Sequence, residues 1–118
     1  MGATIIDGKA SAAGVRARVA EGVAEFRAKY GRAPGLVGVQ VGDDPASEIY
    51  QAMKEKSAAE AGMASRRITL PEETTQAELN AVIDELNADD SVDGMLVQLP
   101  VPDQLSEPEI AARIHPDK

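Results

Sequence analysis

Ser47, Tyr50 and Lys54 stand at i, i+3 and i+7 in the run Ser47-Glu48-Ile49-Tyr50-Gln51-Ala52-Met53-Lys54. On a helix this spacing aligns a hydroxyl, a phenol and a primary amine along one stripe, because residues three and four apart are neighbours. A phenol and an amine so placed can share a proton or hold a planar ligand. Burial in a dry cleft, or a second donor nearby, would tune such an amine for proton transfer. Gln98, at the end of the apolar run that begins at Val92, is a further polar group. The same residues also fit a plainer description. A Tyr and a Lys four apart commonly mark the margin of an amphipathic helix, and a strand-end Gln is commonly just hydrogen-bonded. Spacing alone leaves both readings open.

The elements that must position these groups follow from local signals. Asp44 is suited to cap a helix and Pro45 to start it, so a helix is expected from Pro45 to about Ala61, ended by Gly62. Ile49, Ala52 and Met53 form an apolar stripe expected to face the sheet, with Tyr50 and Lys54 at its margin. Before this helix, Leu36 to Val41 reads as a buried strand. Val15, Val19, Val23 and Phe26 give the stretch from Ala10 to Tyr30 one apolar helical face, closed at Gly31. Arg66 to Leu70 reads as a second strand, and Thr74 or Thr75 caps a helix reaching about Ala88, with Leu79, Val82, Ile83 and Leu86 as its stripe. Val92 to Gln98 is a third strand, broken by Leu99-Pro100-Val101-Pro102, and a short helix covers about Glu107 to Ile114.

Helices alternating with strands imply right-handed crossovers and a parallel sheet. The expected architecture is one α/β domain over residues 1–118, a three-layer parallel sheet with helices on both faces. Three strands make a thin sheet, so Ala3 to Ile6 is expected to add a short one. In such sheets ligands bind beyond the carboxyl ends of the strands. The loop Gly42 to Asp44, the helix it launches and Gln98 all fall at that edge.

Composition narrows the chemistry. The 20 acidic residues outnumber the 12 basic ones, a formal charge of -8, which argues against nucleic-acid binding. No cysteine is present, which excludes disulfides, thiolate metal sites and a cysteine nucleophile. The single histidine, His115, reads as a surface residue, and no metal site is expected. Asp89-Asp90 reads as a turn, and Glu72, Glu73, Glu78, Asp84 and Glu85 as a solvated face. No apolar run is long enough to cross a membrane, and Asp7 and Lys9 interrupt any leader pattern, so a cytoplasmic protein without a membrane partner is expected.

Val41-Gly42-Asp43-Asp44-Pro45-Ala46-Ser47, followed by Tyr50, Lys54 and Lys56, resembles the first signature of the bifunctional methylenetetrahydrofolate dehydrogenase/methenyltetrahydrofolate cyclohydrolase family. Asp93-Gly94-Met95-Leu96-Val97-Gln98-Leu99-Pro100 resembles its second, and Ile6-Asp7-Gly8-Lys9 its usual opening. The resemblance covers essentially the whole chain. It implies the amino-terminal, folate-binding domain of a two-domain dehydrogenase acting in one-carbon metabolism. It assigns catalysis to Lys54, with Tyr50 and Gln98, and substrate binding to Tyr50, Ser47, Gln98, Leu99 and Pro100; Lys56 is peripheral. A tetrahydrofolate-type substrate is implied as partner, with NADP as cofactor of the intact family. The family is commonly homodimeric, and self-association of this chain is an open expectation. No G-x-G-x-x-G occurs here, so no nucleotide is expected on this chain and little activity from it alone. Two other readings stand beside this one. Tyr-x-x-x-Lys also marks short-chain dehydrogenases, but there a glycine-rich turn precedes the pair, and none does here. A non-catalytic α/β folding or interaction module is the other.

Overall fold

In the computed structural model, which describes residues 2–118, parallel pairing puts β1 (Gly35–Val41) between β2 (Ala64–Leu70) and β3 (Gly94–Val97). A central parallel strand is covered on both faces, so a β-branched, glycine-spaced sequence such as Gly35-Leu36-Val37-Gly38-Val39-Gln40-Val41 suits it. Alternation then sorts its side chains. Val37, Val39 and Val41 face the main core. There they meet Leu79, Ile83 and Leu86 of α3 (Gln76–Ala88), Ile110 of α4 (Glu107–Arg113), and Met95 and Val97 of β3. Leu79 and Ile83 are 0% exposed, and burying each contributes about 1.5–3 kcal/mol. Leu36, Gly38 and Gln40 look the other way, toward α2 (Pro45–Glu60). The α/β reading with helices on both faces holds.

The boundaries shift by a few residues. α1 spans Gly8–Tyr30, starting earlier than its apolar pattern because Asp7 Oδ1 accepts from the backbone N–H groups of Lys9 and Ala10. Thr75 is the α3 cap, accepting from the N–H of Glu78. β2 begins two residues earlier than expected, at Ala64. β3 is shorter than expected: Val92 and Asp93 lie before it, Val92 N donating to Asp89 O within a turn and Asp93 N to Gly35 O of β1, and Gln98 lies just after it. Ala3 to Ile6 forms no strand. The segment leads straight into the α1 cap, and Ile5 and Ile6 are 90% and 86% exposed.

α1 joins the α2 layer. Arg27 Nη2 donates to Gly62 O at 3.2 Å, and Val23 packs beside Gly62 at the end of α2. Val23 is the buried position of the expected face; Val15 and Val19 remain partly open. No helix among the described residues is long and apolar enough to cross a membrane.

Candidate functional site

The first turn of α2 is built at the carboxyl edge of the sheet. Gly42 turns the chain out of β1, and Asp44 Oδ1 accepts from Ser47 N at 2.9 Å. The helix then crosses the Leu36–Gly38–Gln40 side of the sheet. Its sheet-facing stripe is not the expected apolar one. Ser47, Gln51 and Ala58 are buried and Lys54 half-buried, whereas Ile49, Ala52 and Met53 are exposed. The reason is close approach. Gln51 is 2% exposed and lies on Gly38, where a Cβ would stand 2.6 Å from its Oε1. With a glycine below, the helix settles on a long polar side chain and turns its bulkier apolar ones outward.

Lys54, one turn further on, reaches toward β3. Its Nζ donates to Gln98 Oε1. Gln98 is itself fixed: its backbone N donates to Val39 O at 2.8 Å, extending the β1–β3 pairing one residue past the strand, and its Nε2 donates to Leu99 O at 3.1 Å. The amide oxygen is thereby left for the amine. The Leu99–Pro100 peptide bond is cis, and the chain leaves the sheet there. Beneath the amine, Leu36, Gly38, Gln51 and Leu96 line a narrow cavity of about 20 Å³. A wider groove of about 210 Å³ runs between α1 and α2, past Val19, Ser57 and Ala58. The stem of Lys54 borders both, so its charged end sits over an apolar floor while still reaching a polar partner.

The expected site residues thus divide. Lys54 and Gln98, 44 residues apart, are brought into contact. Tyr50 stands one helical turn before Lys54 and is 55% exposed; Leu99 and Pro100, beside Gln98, are also exposed. Ser47 is elsewhere: it is 2% exposed, with its Oγ buried under the helix. Lys56 is exposed, and so is His115, whose Nδ1 accepts from Asp117 N at 3.1 Å.

Of the other polar residues at this face, Gln40, Gln51 and Arg67 were not legible as site residues. Gln40 Oε1, Ser47 Oγ and Gln51 Nε2 are buried without a hydrogen-bond partner among the described residues. Arg67 of β2 donates from Nη1 to Glu48 Oε2 at 2.6 Å and from Nε to Glu55 Oε1 at 2.7 Å. Glu55 and then Glu48 hold its guanidinium further into the charged form than usual. No spacing in the sequence signals this bridge, because it depends on which β2 residue pairs with which β1 residue.

The glycine-bearing loop between β1 and α2 does not fit a nucleotide pyrophosphate. Asp43 and Asp44 carry negative charge there, and the Asp44 carboxylate already takes the Ser47 N–H. Among the described residues no group of His, Cys, Asp and Glu could hold a metal ion.

Comparison with known proteins places the chain. Residues 6–118 match the family model described as tetrahydrofolate dehydrogenase/cyclohydrolase, catalytic domain. The chain is 55% identical over 117 residues to bifunctional protein FolD 3 of Rhizorhabdus wittichii, covering 99% of this chain and 38% of that protein. It is 54% identical over 118 residues to bifunctional protein FolD of Dinoroseobacter shibae, 40% of whose length it covers. Among solved structures it is similar to the Campylobacter jejuni bifunctional enzyme FolD, with a TM-score of 0.90 and 41% identity over 98% of this chain and 40% of that one. It is also similar to the Trypanosoma brucei methylenetetrahydrofolate dehydrogenase-cyclohydrolase, solved with NADP cofactor and inhibitor, with a TM-score of 0.86, 32% identity and the same coverage. The chain therefore spans about 40% of the length of these relatives.

Proposed function

Because the chain belongs to the tetrahydrofolate dehydrogenase/cyclohydrolase family, we propose that residues 1–118 form a folate-binding catalytic domain whose working group is Lys54. The observation that carries this reading is the contact of Lys54 Nζ with Gln98 Oε1 at the carboxyl edge of the sheet. One N–H is committed to a neutral acceptor that is itself fixed by Val39 and Leu99. The rest of the amine is free to face a ligand lying over Tyr50, Leu99 and Pro100.

The chemistry such an amine supports is hydrolysis of the methenyl bridge of a tetrahydrofolate. Water adds its oxygen to the cationic bridging carbon and loses one proton to give a carbinol; as the carbinol hydroxyl gives up its own proton to solvent and becomes the formyl C=O, one carbon–nitrogen bond opens and the departing nitrogen takes up a proton, leaving the formyl group on the other nitrogen. Lys54 in its amine form would take the proton from the water and return it to the departing nitrogen, a transfer worth about 10²–10⁴-fold when the base is well placed. Tyr50 would stack its ring on the pterin and align the one-carbon unit. Gln98 would hold the amine in place. Leu99 and Pro100 would supply an apolar wall. Ser47, buried beneath the helix, would act through the helix start. Cytoplasmic work suits a cysteine-free chain. Hydride transfer to NADP would need the intact protein, as in the relative solved with that cofactor; the acidic β1–α2 loop does not suit its pyrophosphate.

Calorimetric titration with 5-formyltetrahydrofolate tests the proposal. The expected result is saturable binding by the chain and a loss of affinity of about tenfold or more in Lys54→Ala, on the scale of a lost hydrogen bond to a charged group. Absent or identical binding for the two would leave a non-catalytic module, the second reading. The exposed apolar side chains Ile49, Tyr50 and Met53 along α2 favour it as an association surface.

A further inference from the structure

Three residues from three strands lie in one transverse row beneath α2: Gly38 of β1 pairs with Arg67 of β2 on one side and with Leu96 of β3 on the other. Paired residues share a face, so this row is the floor on which the helix rests. Its centre is empty of side chain, and Gln51 fills it. On the β3 side, Leu96 lies under Lys54, and Gln98, two residues on, meets the amine. On the β2 side, Arg67 grips the helix at two points. Glu48 lies two turns before Glu55, and both carboxylates converge on one guanidinium, Glu55 through both oxygens at 2.7 and 3.3 Å, Glu48 at 2.6 Å. Gln40 Nε2 adds a contact to Glu48 Oε1 at 3.4 Å. The gripped segment is the one that carries Tyr50, Gln51 and Lys54.

We propose that Arg67 is a positioning residue: by holding Glu48 and Glu55 it sets the height and rotation of α2 on the sheet and so places Lys54 Nζ on Gln98. The role at the reaction rests on the folate reading; the placement of the amine does not. A planar guanidinium suits the task, since its fork fixes the direction of each carboxylate as well as its distance. Partly exposed ion pairs contribute little stability, so the consequence of breaking this one falls on geometry. Without Arg67, two acids of α2 face the edge of β2 unpaired, and the helix is free to roll about Gln51. A roll of that kind moves Lys54 away from β3.

The test reads the Gln98 side-chain amide by ¹⁵N–¹H NMR in the 118-residue chain. Lys54→Ala marks where that signal lies once the amine is gone. Arg67→Met should shift it most of the way to this mark, and Arg67→Lys, which cannot fork to both acids, part of the way. Arg113→Met, which breaks an ion pair to Asp84 on the opposite face, controls for lost charge and stability and should leave the signal in place. If Arg67→Met fails to fold, Glu55→Gln, which loosens one arm, should shift the signal in the same direction. Affinity for 5-formyltetrahydrofolate should fall about tenfold in Arg67→Met and be unchanged in Arg113→Met. A Gln98 signal that stays put in Arg67→Met, or moves equally in Arg113→Met, overturns the proposal. If the unaltered chain binds no folate, the folate reading fails, and the amide signal still decides the role of Arg67.

Discussion

Asp93 accepts from Arg32 Nη1 at 2.7 Å and Nη2 at 2.9 Å, and from the Gly35 N–H at 2.7 Å, joining the α1–β1 turn to the start of β3. Arg32 above all, and then the Gly35 N–H, hold its carboxyl below the ordinary aspartate value of 3.8. A group depressed on folding contributes stability that is full above its unfolded value and disappears as the pH falls through the folded one. Denaturant unfolding should therefore show a steeper loss of stability between about pH 4 and pH 2 for the unaltered chain than for Asp93→Asn; parallel curves would remove Asp93 from the acid response. At this scale helical spacing and the end of a strand single out Lys54 and Gln98 only as candidates, and the family resemblance is what assigns them roles. Arg67 and Gln51 are not singled out, because an arginine in a strand and a glutamine in a helix read as solvated until register puts one beside Glu55 and the other on Gly38. Asp93 was legible as part of a signature, but its pairing with Arg32, 61 residues away, was not.

In α2 the ends are set by local capping and the buried face by the surface below it. Its start, at Asp44 and Pro45, and its end before Gly62 were readable because capping is local. Its buried face was not. Ile49, Ala52 and Met53 form the apolar stripe, yet the polar stripe through Ser47, Gln51 and Lys54 faces the sheet, since Gly38 leaves a space that a flexible amide fills. α3 behaves as its pattern promised, because Val37, Val39 and Val41 below it are apolar and branched and the apolar stripe has a matching surface. A methyl group at Gly38 would meet the Gln51 amide at 2.6 to 3.2 Å. Gly38→Ala should accordingly cost about 1–3 kcal/mol by thermal unfolding, the range for overpacking. Adding Gln51→Ala should restore part of that loss, the sign of a direct clash. A double variant no more stable than Gly38→Ala would place the strain elsewhere.

For the molecule as a whole, alternation along one strand separates two jobs. The odd-numbered side of β1 makes the core with α3 and α4, and the even-numbered side carries α2, the amine and the cavities beside it. The core and the proposed site therefore occupy opposite faces of a three-stranded sheet, and substitutions in one can be separated from those in the other. The layer order was readable from alternating helices and strands. The extra strand expected at Ala3 to Ile6 was not found, because the segment runs directly into the Asp7 cap of α1. On the proposed function, a reduced folate binds at the edge where Lys54 meets Gln98. NMR shift mapping during titration with 5-formyltetrahydrofolate tests it most directly. Saturable shifts at Tyr50, Lys54, Gln98 and Leu99, with the α3 and α4 signals unmoved, are the predicted result. Shifts confined to the α3–α4 face, or none at saturating ligand, would contradict it.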